Sequence, residues 1–354
     1  MKNNFWKNKK VLITGHTGFK GGWLSIWLKM LGAKVYGYAL KPSTEPSLFK
    51  LTKLKSYIDK SYIGNIQNVK YLNKIISKTN PDILFHLAAQ PSVRVSYEQS
   101  LETVKTNILG TSNILEIVKK HKKLRSVIMV ATDKVYENNE KKISFKETSK
   151  LGGKDVYSAS KAASEIMVDA YKKSFFSKRK TYIASARSGN VIGGGDWTKD
   201  RIVPDCLEAF GQNKLLTIRY PNSVRPFQHV LEPVYGYIVL AEKLYKKGSK
   251  FAEAWNFGPK KSNTTKVIDL AYKIKKLMKS KSKIFVSKKK HLYEAGYLSL
   301  DSSKSKKFLK WKKFLNLNQT LILTIDWFYD YRSNADLRNT CIKQIKFFTN
   351  LINE

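Results

Sequence analysis

A tyrosine and a lysine four positions apart, Tyr157 and Lys161, are the residues of this chain best suited to acid–base chemistry. In a helix the two side chains lie on one face, about one turn apart. An ammonium beside a phenol stabilises the phenolate and lowers the tyrosine pKa from about 10 towards neutrality, which makes the phenol a general base. Because this spacing is also common on helix surfaces, the prediction needs support from the rest of the chain.

A second group of polar residues, Thr132, Asp133 and Lys134, follows a predicted strand that ends near Ala131. In open α/β sheets, ligands bind outside the carboxyl ends of the strands. We expect Thr132 to hydrogen-bond a substrate hydroxyl beside Tyr157. The alternative for Asp133 is a turn or helix-capping residue without a part in the chemistry.

A glycine motif follows the first apolar strand directly, with the sequence TGHTGFKG from Thr14 to Gly21. Gly15 allows the tight turn, Gly18 lets the backbone approach phosphates, and Gly21 lets the next helix pack closely on the strand. The helix N-terminus offers N–H groups and a positive dipole end to an anion. The motif therefore predicts a dinucleotide site that is formed by Gly15, Thr17, Gly18, Phe19 and Gly21.

Strand-like and helix-like segments alternate through the first half of the chain, which is typical of a doubly wound parallel sheet. The predicted strands are residues 11–13, 34–39, 57–63, 82–87, 125–131 and 182–186. Predicted helices follow the glycines and then cover residues 69–77, 96–121 and 156–176. We expect an α/β fold with a Rossmann-type doubly wound parallel sheet and a smaller α/β substrate-binding domain.

Beyond Gly189 the pattern changes to a glycine-rich loop at residues 191–197 and a short strand at 225–230 that returns to the first domain. An amphipathic helix is predicted around residues 267–278, and a last helix around 321–328. We expect residues 1–190, with about 225–248 returning, to form the dinucleotide-binding domain. Residues 191–224 and 249–354 would form the smaller domain.

The composition limits the class of protein further. A formal net charge of +39 over 354 residues invites a nucleic-acid function, but the basic residues are scattered along the whole chain, so we expect no nucleic-acid partner. Two cysteines, Cys206 and Cys341, suggest neither a disulfide framework nor a metal site. With no apolar run of membrane-spanning length and the first strand close to the N-terminus, we expect a cytoplasmic protein without a signal peptide.

These motifs together resemble the extended short-chain dehydrogenase/reductase family, and more closely its sugar-nucleotide 4,6-dehydratases. The resemblance covers residues 10–301 and includes HLAAQP at 86–91, TDKVY at 132–136, GNVIGGGDW at 189–197 and RPFQHVLEP at 225–233. It implies a catalytic NAD. It also implies further cofactor contacts from Asn65, Leu87, Ala88, Ala89, Gln90, Asn107, Tyr157 and Lys161. The second predicted strand lacks the usual acid for the ribose, so from the residues alone NADP stays an alternative.

The resemblance assigns roles in a dehydration. Tyr157 takes the proton of the sugar 4-hydroxyl, Thr132 orients that hydroxyl, and Lys161 lowers the tyrosine pKa. Asp133, kept protonated by a desolvated pocket, donates to the departing 6-hydroxyl. Lys134 stands where the dehydratases of dTDP- and GDP-sugars have Glu. A lysine at this position resembles the branch that acts on CDP-glucose. It is the base for C5, or a charge that polarises the C4 ketone while another group takes the proton, or the partner of a salt bridge to Asp133.

For the substrate, we expect Asn190, Arg201 and Arg225 near a nucleoside diphosphate, with Arg94 and His229 as further pocket residues. The resemblance implies a homodimer or homotetramer, and the predicted helices at 96–121 and 156–176 are apolar enough to form the interface. Competing interpretations are a nucleotide-sugar epimerase, a dehydratase for another nucleotide, and a non-enzymatic relative that keeps the cofactor fold.

Overall fold

Seven parallel strands form the central sheet of the computed structural model, which describes residues 4–259, 264–289 and 292–354. Across the sheet the order is β3 (Lys60–Ile63), β2 (Lys34–Ala39), β1 (Lys10–Thr14), β4 (Ile83–His86), β5 (Ser126–Thr132), β6 (Tyr182–Ser188) and β11 (Ala254–Phe257). The direction of winding reverses between β1 and β4. A crevice for a ligand is therefore expected at the carboxyl ends of these two strands.

Helices cover both faces of the sheet, and for this reason the inner strands are almost continuously apolar. One face carries α1 (Phe19–Met30), α10 (Leu231–Lys247) and α13 (Leu337–Asn353). The other face carries α4 (Val69–Thr79), α7 (Gly110–Val118) and α8 (Val156–Tyr171). Shorter helices are α2 (Leu48–Leu51), α3 (Leu54–Tyr57), α5 (Val93–Glu98) and α6 (Ser100–Val104).

A smaller layer stands beyond the carboxyl ends of the strands and has its own apolar core. Three two-stranded pairs belong to it: β7 (Val191–Ile192) with β10 (Gln228–His229), β8 (Leu216–Ile218) with β13 (Ile284–Val286), and β9 (Val224–Arg225) with β12 (Thr265–Lys266). Its helices are α9 (Ile202–Gly211), α11 (Val267–Leu277) and α12 (Leu317–Arg332). Within the described residues, no helix is long and apolar enough to cross a membrane.

The expected α/β fold is confirmed, with several corrections to its elements. The helix predicted for residues 96–121 is divided into α5, α6, a π-helical turn at Lys105–Leu109 and α7. The third strand begins at Lys60, because residues 54–57 form α3. The helix predicted to be last, α12, is followed by α13.

The end of the chain returns to the large sheet, which the predicted domain division does not include. Strand β11 pairs with β6 although residues 249–354 were assigned to the smaller domain. Phe348 of α13 packs edge-on against Trp27 of α1, with ring centroids 5.7 Å apart. These contacts assign β11 and α13 to the large domain, because both complete its apolar core. The remaining boundaries stay a prediction.

The glycine-rich loop at residues 191–197 lies between the large domain and the smaller layer. The indole of Trp23 on α1 donates to the carbonyl of Gly194 at 3.0 Å. On the other side, Trp327 of α12 packs on Gly194 so closely that a Cβ there would lie 1.9 Å from the ring. The loop therefore links the glycine-motif helix to α12.

Candidate active site

The turn between β1 and α1 forms a cradle of backbone. Gly15 has a φ of +79°, and a Cβ on it would lie 2.7 Å from the amide nitrogen of Ala88. A Cβ on Gly21 would lie 2.1 Å from the carbonyl oxygen of Gly15. Gly18 occupies the N-cap of α1, so no side chain covers the helix N-terminus. The cradle therefore fits the phosphates of a dinucleotide, which need close backbone approach.

The loop after β4 forms the opposite wall. The backbone N–H of Ala88 donates to Thr14 Oγ1 at 3.3 Å. Asn107 accepts from the N–H of Gln90 at 2.9 Å and donates to the Gln90 carbonyl at 3.2 Å and to Ser160 Oγ at 2.9 Å. Because its amide is used in these bonds, Asn107 fixes the shape of the wall and thereby supports residues 87–90.

Residues at the end of β2 and β3 complete the crevice. Thr17 Oγ1 donates to the Leu40 carbonyl at 2.9 Å, and Asn65 Oδ1 accepts from the N–H of Gln67 at 2.9 Å. His16 is buried and its ring hydrogen-bonds Ser61 Oγ at 2.7 Å. Burial lowers the His16 pKa to about 4, so this ring packs as a neutral group. The predicted cofactor residues thus surround the carboxyl ends of β1, β2 and β4.

Tyr157 and Lys161 lie on one face of α8, as predicted, and their side chains have different hydrogen-bond partners. The phenol is buried and has the Thr132 hydroxyl as a hydrogen-bond partner. Lys161 Nζ instead donates to the Val130 carbonyl at 3.0 Å. Burial raises the pKa of Tyr157 to about 12, while the Thr132 hydroxyl and the Arg201 charge act to lower it. The lowering of this pKa by Lys161 stays a prediction.

Asp133 lies in the one-turn 3-10 helix Asp133–Val135 directly after β5 and is buried. Its Oδ1 accepts from the Thr132 hydroxyl at 3.1 Å, while Oδ2 has no hydrogen-bond partner among the described residues and faces the backbone of Gly189. Burial raises the Asp133 pKa more than the nearby positive charges lower it. The carboxyl is thus held in an environment that favours the protonated acid.

Lys134 is only partly exposed and lies close to Arg225. Burial and the Arg225 guanidinium lower its pKa, while the carboxylates of Asp133, Glu294 and Asp155 raise it. In the described part of the chain no ion pair joins Lys134 to Asp133, so the predicted salt bridge is wrong. A lysine in these surroundings loses its proton more readily than one in water.

A cavity of about 280 Å³ opens from this acid–base group towards the smaller layer. Its lining includes Thr132, Asp133, Lys134 and Tyr157, together with four of the five predicted substrate residues, Arg94, Asn190, Arg201 and Arg225. The fifth, His229, is fully buried outside the lining and accepts from the N–H of Leu231 at 3.3 Å. This position corrects the prediction for His229, because its pKa of about 3 and its burial indicate a core residue.

The arginines of the cavity are held at different depths. Arg225 is buried and donates to the carbonyls of Val224 at 3.0 Å and Gly296 at 3.3 Å. Arg201 pairs with Asp196 at 2.9 Å. Arg94, nearer the mouth, pairs with Asp200 at 2.9 Å. Cations at these depths can contact an elongated anion along its length.

Lys20 is the cavity residue that the sequence analysis missed. It stands in the first turn of α1, lines the cavity and has no hydrogen-bond or ion-pair partner among the described residues. Burial and the charges of Arg201 and Lys161 lower its pKa to about 8. A lysine is unfavourable at a helix N-terminus, and this could have drawn attention to it. No group of residues suited to a metal ion occurs within the described residues.

A dinucleotide cradle at the switch point of a parallel sheet, with a tyrosine–lysine pair beside it, defines the short-chain dehydrogenase/reductase class. The chain belongs to the family described as GDP-mannose 4,6 dehydratase, whose pattern it matches over residues 12–323.

Among curated proteins, the chain is 44% identical over 329 residues to the CDP-glucose 4,6-dehydratase of Salmonella typhimurium, covering 92% of this chain and 91% of that one. It is 32% identical to the dTDP-D-glucose 4,6-dehydratase of Dictyostelium discoideum over 69% of this chain and 59% of that one. The Bacillus anthracis dTDP-glucose 4,6-dehydratase, solved in complex with NAD, has a TM-score of 0.77 at 22% identity, with 93% and 99% coverage. That structural likeness concerns the fold.

Proposed function

We propose that the protein is a CDP-glucose 4,6-dehydratase that uses NAD catalytically and releases CDP-4-keto-6-deoxyglucose and water. The observation that carries this proposal is Asp133, a buried carboxyl with an unpartnered oxygen in the same cavity as Thr132 and Tyr157. An epimerase or a simple dehydrogenase needs no acid for a leaving hydroxyl. The identity of 44% with a CDP-glucose 4,6-dehydratase supports the choice of nucleotide.

The cofactor would be held by the backbone of Gly15 to Phe19, the wall at residues 87–90, and Asn65. Bound there, NAD would supply the redox chemistry, as the acceptor of the hydride from C4 and its donor to C6, and its positive charge would favour the phenolate of a neighbouring tyrosine. The chain supplies the remaining chemistry, which consists of proton transfers and orientation.

In the first half of the reaction, Tyr157 removes the proton of the 4-hydroxyl while the hydride leaves C4, which produces a ketone. Thr132, the hydrogen-bond partner of Tyr157, is suited to orient that hydroxyl. Lys161 donates to the Val130 carbonyl and places a positive charge on the same face of α8 as Tyr157. Above its pKa of about 8 this charge is lost, so the step should slow at high pH.

In the second half, the C4 ketone acidifies the proton on C5. We assign its removal to Lys134, since burial and Arg225 lower the pKa of this lysine more than the nearby carboxylates raise it. Asp133 donates its proton to the 6-oxygen as the C6–O bond breaks, so one water leaves. A hydride then enters at C6 and a proton at C5, which completes the 4-keto-6-deoxy sugar.

For the diphosphate we assign Arg201, Arg225 and Asn190, with Arg94 nearer the mouth of the cavity. Arginine suits bidentate contact with phosphate oxygens. We add Lys20, whose ammonium lines the same cavity, has no partner among the described residues and interacts electrostatically with Asp133 and Arg201. The net charge of +39 would also steer such an anionic substrate towards the protein.

A second copy of this chain is the partner that we propose. The segments from α5 to α8 leave apolar side chains exposed, among them Leu101 at 63%, Leu109 at 50% and Ile166 at 56%. Such a patch on adjoining helices is typical of a protein interface. We also propose a cytoplasmic protein, since both cysteines are free and buried, as is usual in a reducing compartment.

The test is mass spectrometry of CDP-glucose after incubation with the purified protein in deuterated water. We expect a product that has lost one water and gained one deuterium at C5. A product of unchanged composition with inverted configuration would favour the epimerase. If CDP-glucose is left intact while dTDP-, UDP- or GDP-glucose loses water, the dehydratase assignment holds and the nucleotide is wrong.

A further inference from the structure

A buried ion pair lies behind the active site. Arg187 near the end of β6 forms two bonds to Glu165 of α8: Nε to Oε1 at 2.9 Å and Nη2 to Oε2 at 3.0 Å. The two side chains are only 5% and 6% exposed. Burial of both charges has a large desolvation cost, which two parallel hydrogen bonds only partly offset.

The remaining guanidinium nitrogen of Arg187 hydrogen-bonds the segment that follows Asp133. Nη1 donates to the hydroxyl of Tyr136 at 2.8 Å and to the carbonyl of Glu147 at 3.1 Å. The Tyr136 hydroxyl donates in turn to Asn256 Oδ1 at 2.7 Å. Tyr136 directly follows the one-turn helix Asp133–Val135, so fixing its hydroxyl fixes the end of that turn.

The Tyr136 ring is restrained as well as its hydroxyl. It stacks on Phe145 with centroids 5.0 Å apart and an interplanar angle of 5°. The Arg187 guanidinium lies 5.0 Å from the centroid of the Tyr136 ring. With stacking, cation–π contact and two hydrogen bonds, the Tyr136 side chain has one defined position.

The other member of the pair belongs to the helix that carries the base. Tyr157, Lys161 and Glu165 follow one another at four-residue spacing, so they share one face of α8. The Glu165 carboxylate raises the pKa of Lys161 and so opposes the effect of burial, which lowers that pKa. A single ion pair therefore joins the tyrosine–lysine helix to Tyr136, the residue directly after the turn with Asp133 and Lys134.

We propose that the Glu165–Arg187 pair is a positioning device that fixes the turn bearing Asp133 and Lys134 relative to Tyr157 and Lys161. The assignment rests on the proposed dehydration. In that reaction, elimination must follow C4 oxidation without movement of the sugar, so the acid must already stand at the correct distance from the phenol. A shift of about 1 Å in such a site costs roughly 100-fold in rate.

The main test uses Tyr136→Phe, which removes the hydroxyl between Arg187 and Asn256 and keeps the ring on Phe145. A second variant, Glu165→Leu with Arg187→Met, replaces both charges by apolar groups and should keep the fold, because apolar substitutes for buried ion pairs are often tolerated. The matched control is Tyr171→Phe, whose hydroxyl donates to Glu116 at the far end of α8.

We expect both variants to melt as cooperatively as the wild type, with kcat lower by about 10- to 100-fold and KM unchanged. The deuterium isotope effect with C5-deuterated CDP-glucose should rise and that with C4-deuterated substrate should fall, because elimination becomes the slow step. Tyr171→Phe should change neither value.

Folded variants with wild-type kcat, or a lower kcat with both isotope effects unchanged, would reduce the pair to a structural role and overturn the proposal. A wild-type protein that dehydrates none of CDP-, dTDP-, UDP- and GDP-glucose would instead overturn the proposed dehydration, and this assignment with it. The wild-type measurement thus separates the two failures.

Discussion

The buried carboxyl of Asp133 has one oxygen that accepts a hydrogen bond and one that has no partner among the described residues. Oδ1 accepts from Thr132 at 3.1 Å, so a proton is best carried on Oδ2. Burial raises the pKa, and Lys134, Thr132 and Arg225 restrain the rise. Such a balance favours the protonated acid and leaves it able to give its proton up.

Asp133→Asn should therefore lower kcat by about 100- to 10,000-fold, because the amide keeps the shape but cannot donate to the leaving oxygen. The dissociation constant for CDP-glucose, measured by calorimetry, should stay close to that of the wild type. Asp169→Asn is the control, since this exposed carboxylate of α8 pairs with lysines in the turn directly after that helix. Retained turnover in Asp133→Asn would show that another group supplies the proton.

Lys20→Met should raise KM for CDP-glucose by about 10- to 100-fold, the usual effect of losing one charged phosphate contact. In the wild type, kcat/KM should fall as the pH rises through about 8, where Lys20 loses its proton. Lys161 titrates in the same range, so Lys20→Arg is informative: its guanidinium stays charged at about pH 9 and should restore part of the loss.

The control for Lys20 is Lys29→Met, which removes the same charge from the other end of α1. Steady-state kinetics and cofactor binding are measured for all variants. If Lys20→Met weakened the binding of NAD and left KM for CDP-glucose unchanged, the lysine would belong to the cofactor site.

At the scale of elements, the sequence predicted those whose pattern is local. Strand β2 and helix α8 begin where the residue pattern predicts, since alternation and capping are properties of neighbouring residues. Strand β11 was missed because only its pairing with β6 makes it a strand. The division of residues 96–121 into several helices likewise depends on contacts with α8, which no spacing reveals.

The same distinction holds for the site. The cradle and the Tyr157–Lys161 pair are local motifs and could be predicted. Lys20 and Arg187 were missed, because their importance depends on residues more than twenty positions away. The error at His229 has the same origin: its burial beneath Trp23 is a tertiary property.

The exposed apolar side chains of α5 to α8 predict an interface between two copies of the chain. Ile166→Glu should convert the proposed dimer into a monomer, because a buried charge without a partner is costly. Light scattering after gel filtration measures the mass. Ile322→Glu, on the surface of α12 at 39% exposure, is the control and should not change it. A wild-type protein of monomeric mass would exclude the interface.

Across the whole molecule, Glu232 connects the large domain to the chain before α12. Its Oε1 accepts from the N–H groups of Phe314 at 2.9 Å and Leu315 at 2.8 Å, and burial raises its pKa to about 8. Because the unfolded chain releases this proton near the ordinary value of 4.5, the folded state binds more protons between the two values. Stability should therefore fall as the pH rises from about 4.5 to 8.

Glu232→Gln removes this titration and should melt higher than the wild type at about pH 8, by about 1–2 °C for each kcal/mol of added stability in a chain of this length. Calorimetry across the pH range provides the measurement. Glu242→Gln, on the same helix with Lys246 as its surface partner, should leave the pH dependence as it is. Equal slopes in the wild type and Glu232→Gln would contradict the assignment of this carboxyl.

The return of the chain's end to its beginning also has a consequence for synthesis. A ribosome that has delivered about 250 residues has made a sheet without β11, and a first helix whose Trp27 still lacks the ring of Phe348. The large domain therefore cannot close its core until α13 emerges. Late translation, when an apolar face of α1 and a free edge at β6 are both uncovered, is the period in which the nascent protein depends most on chaperones.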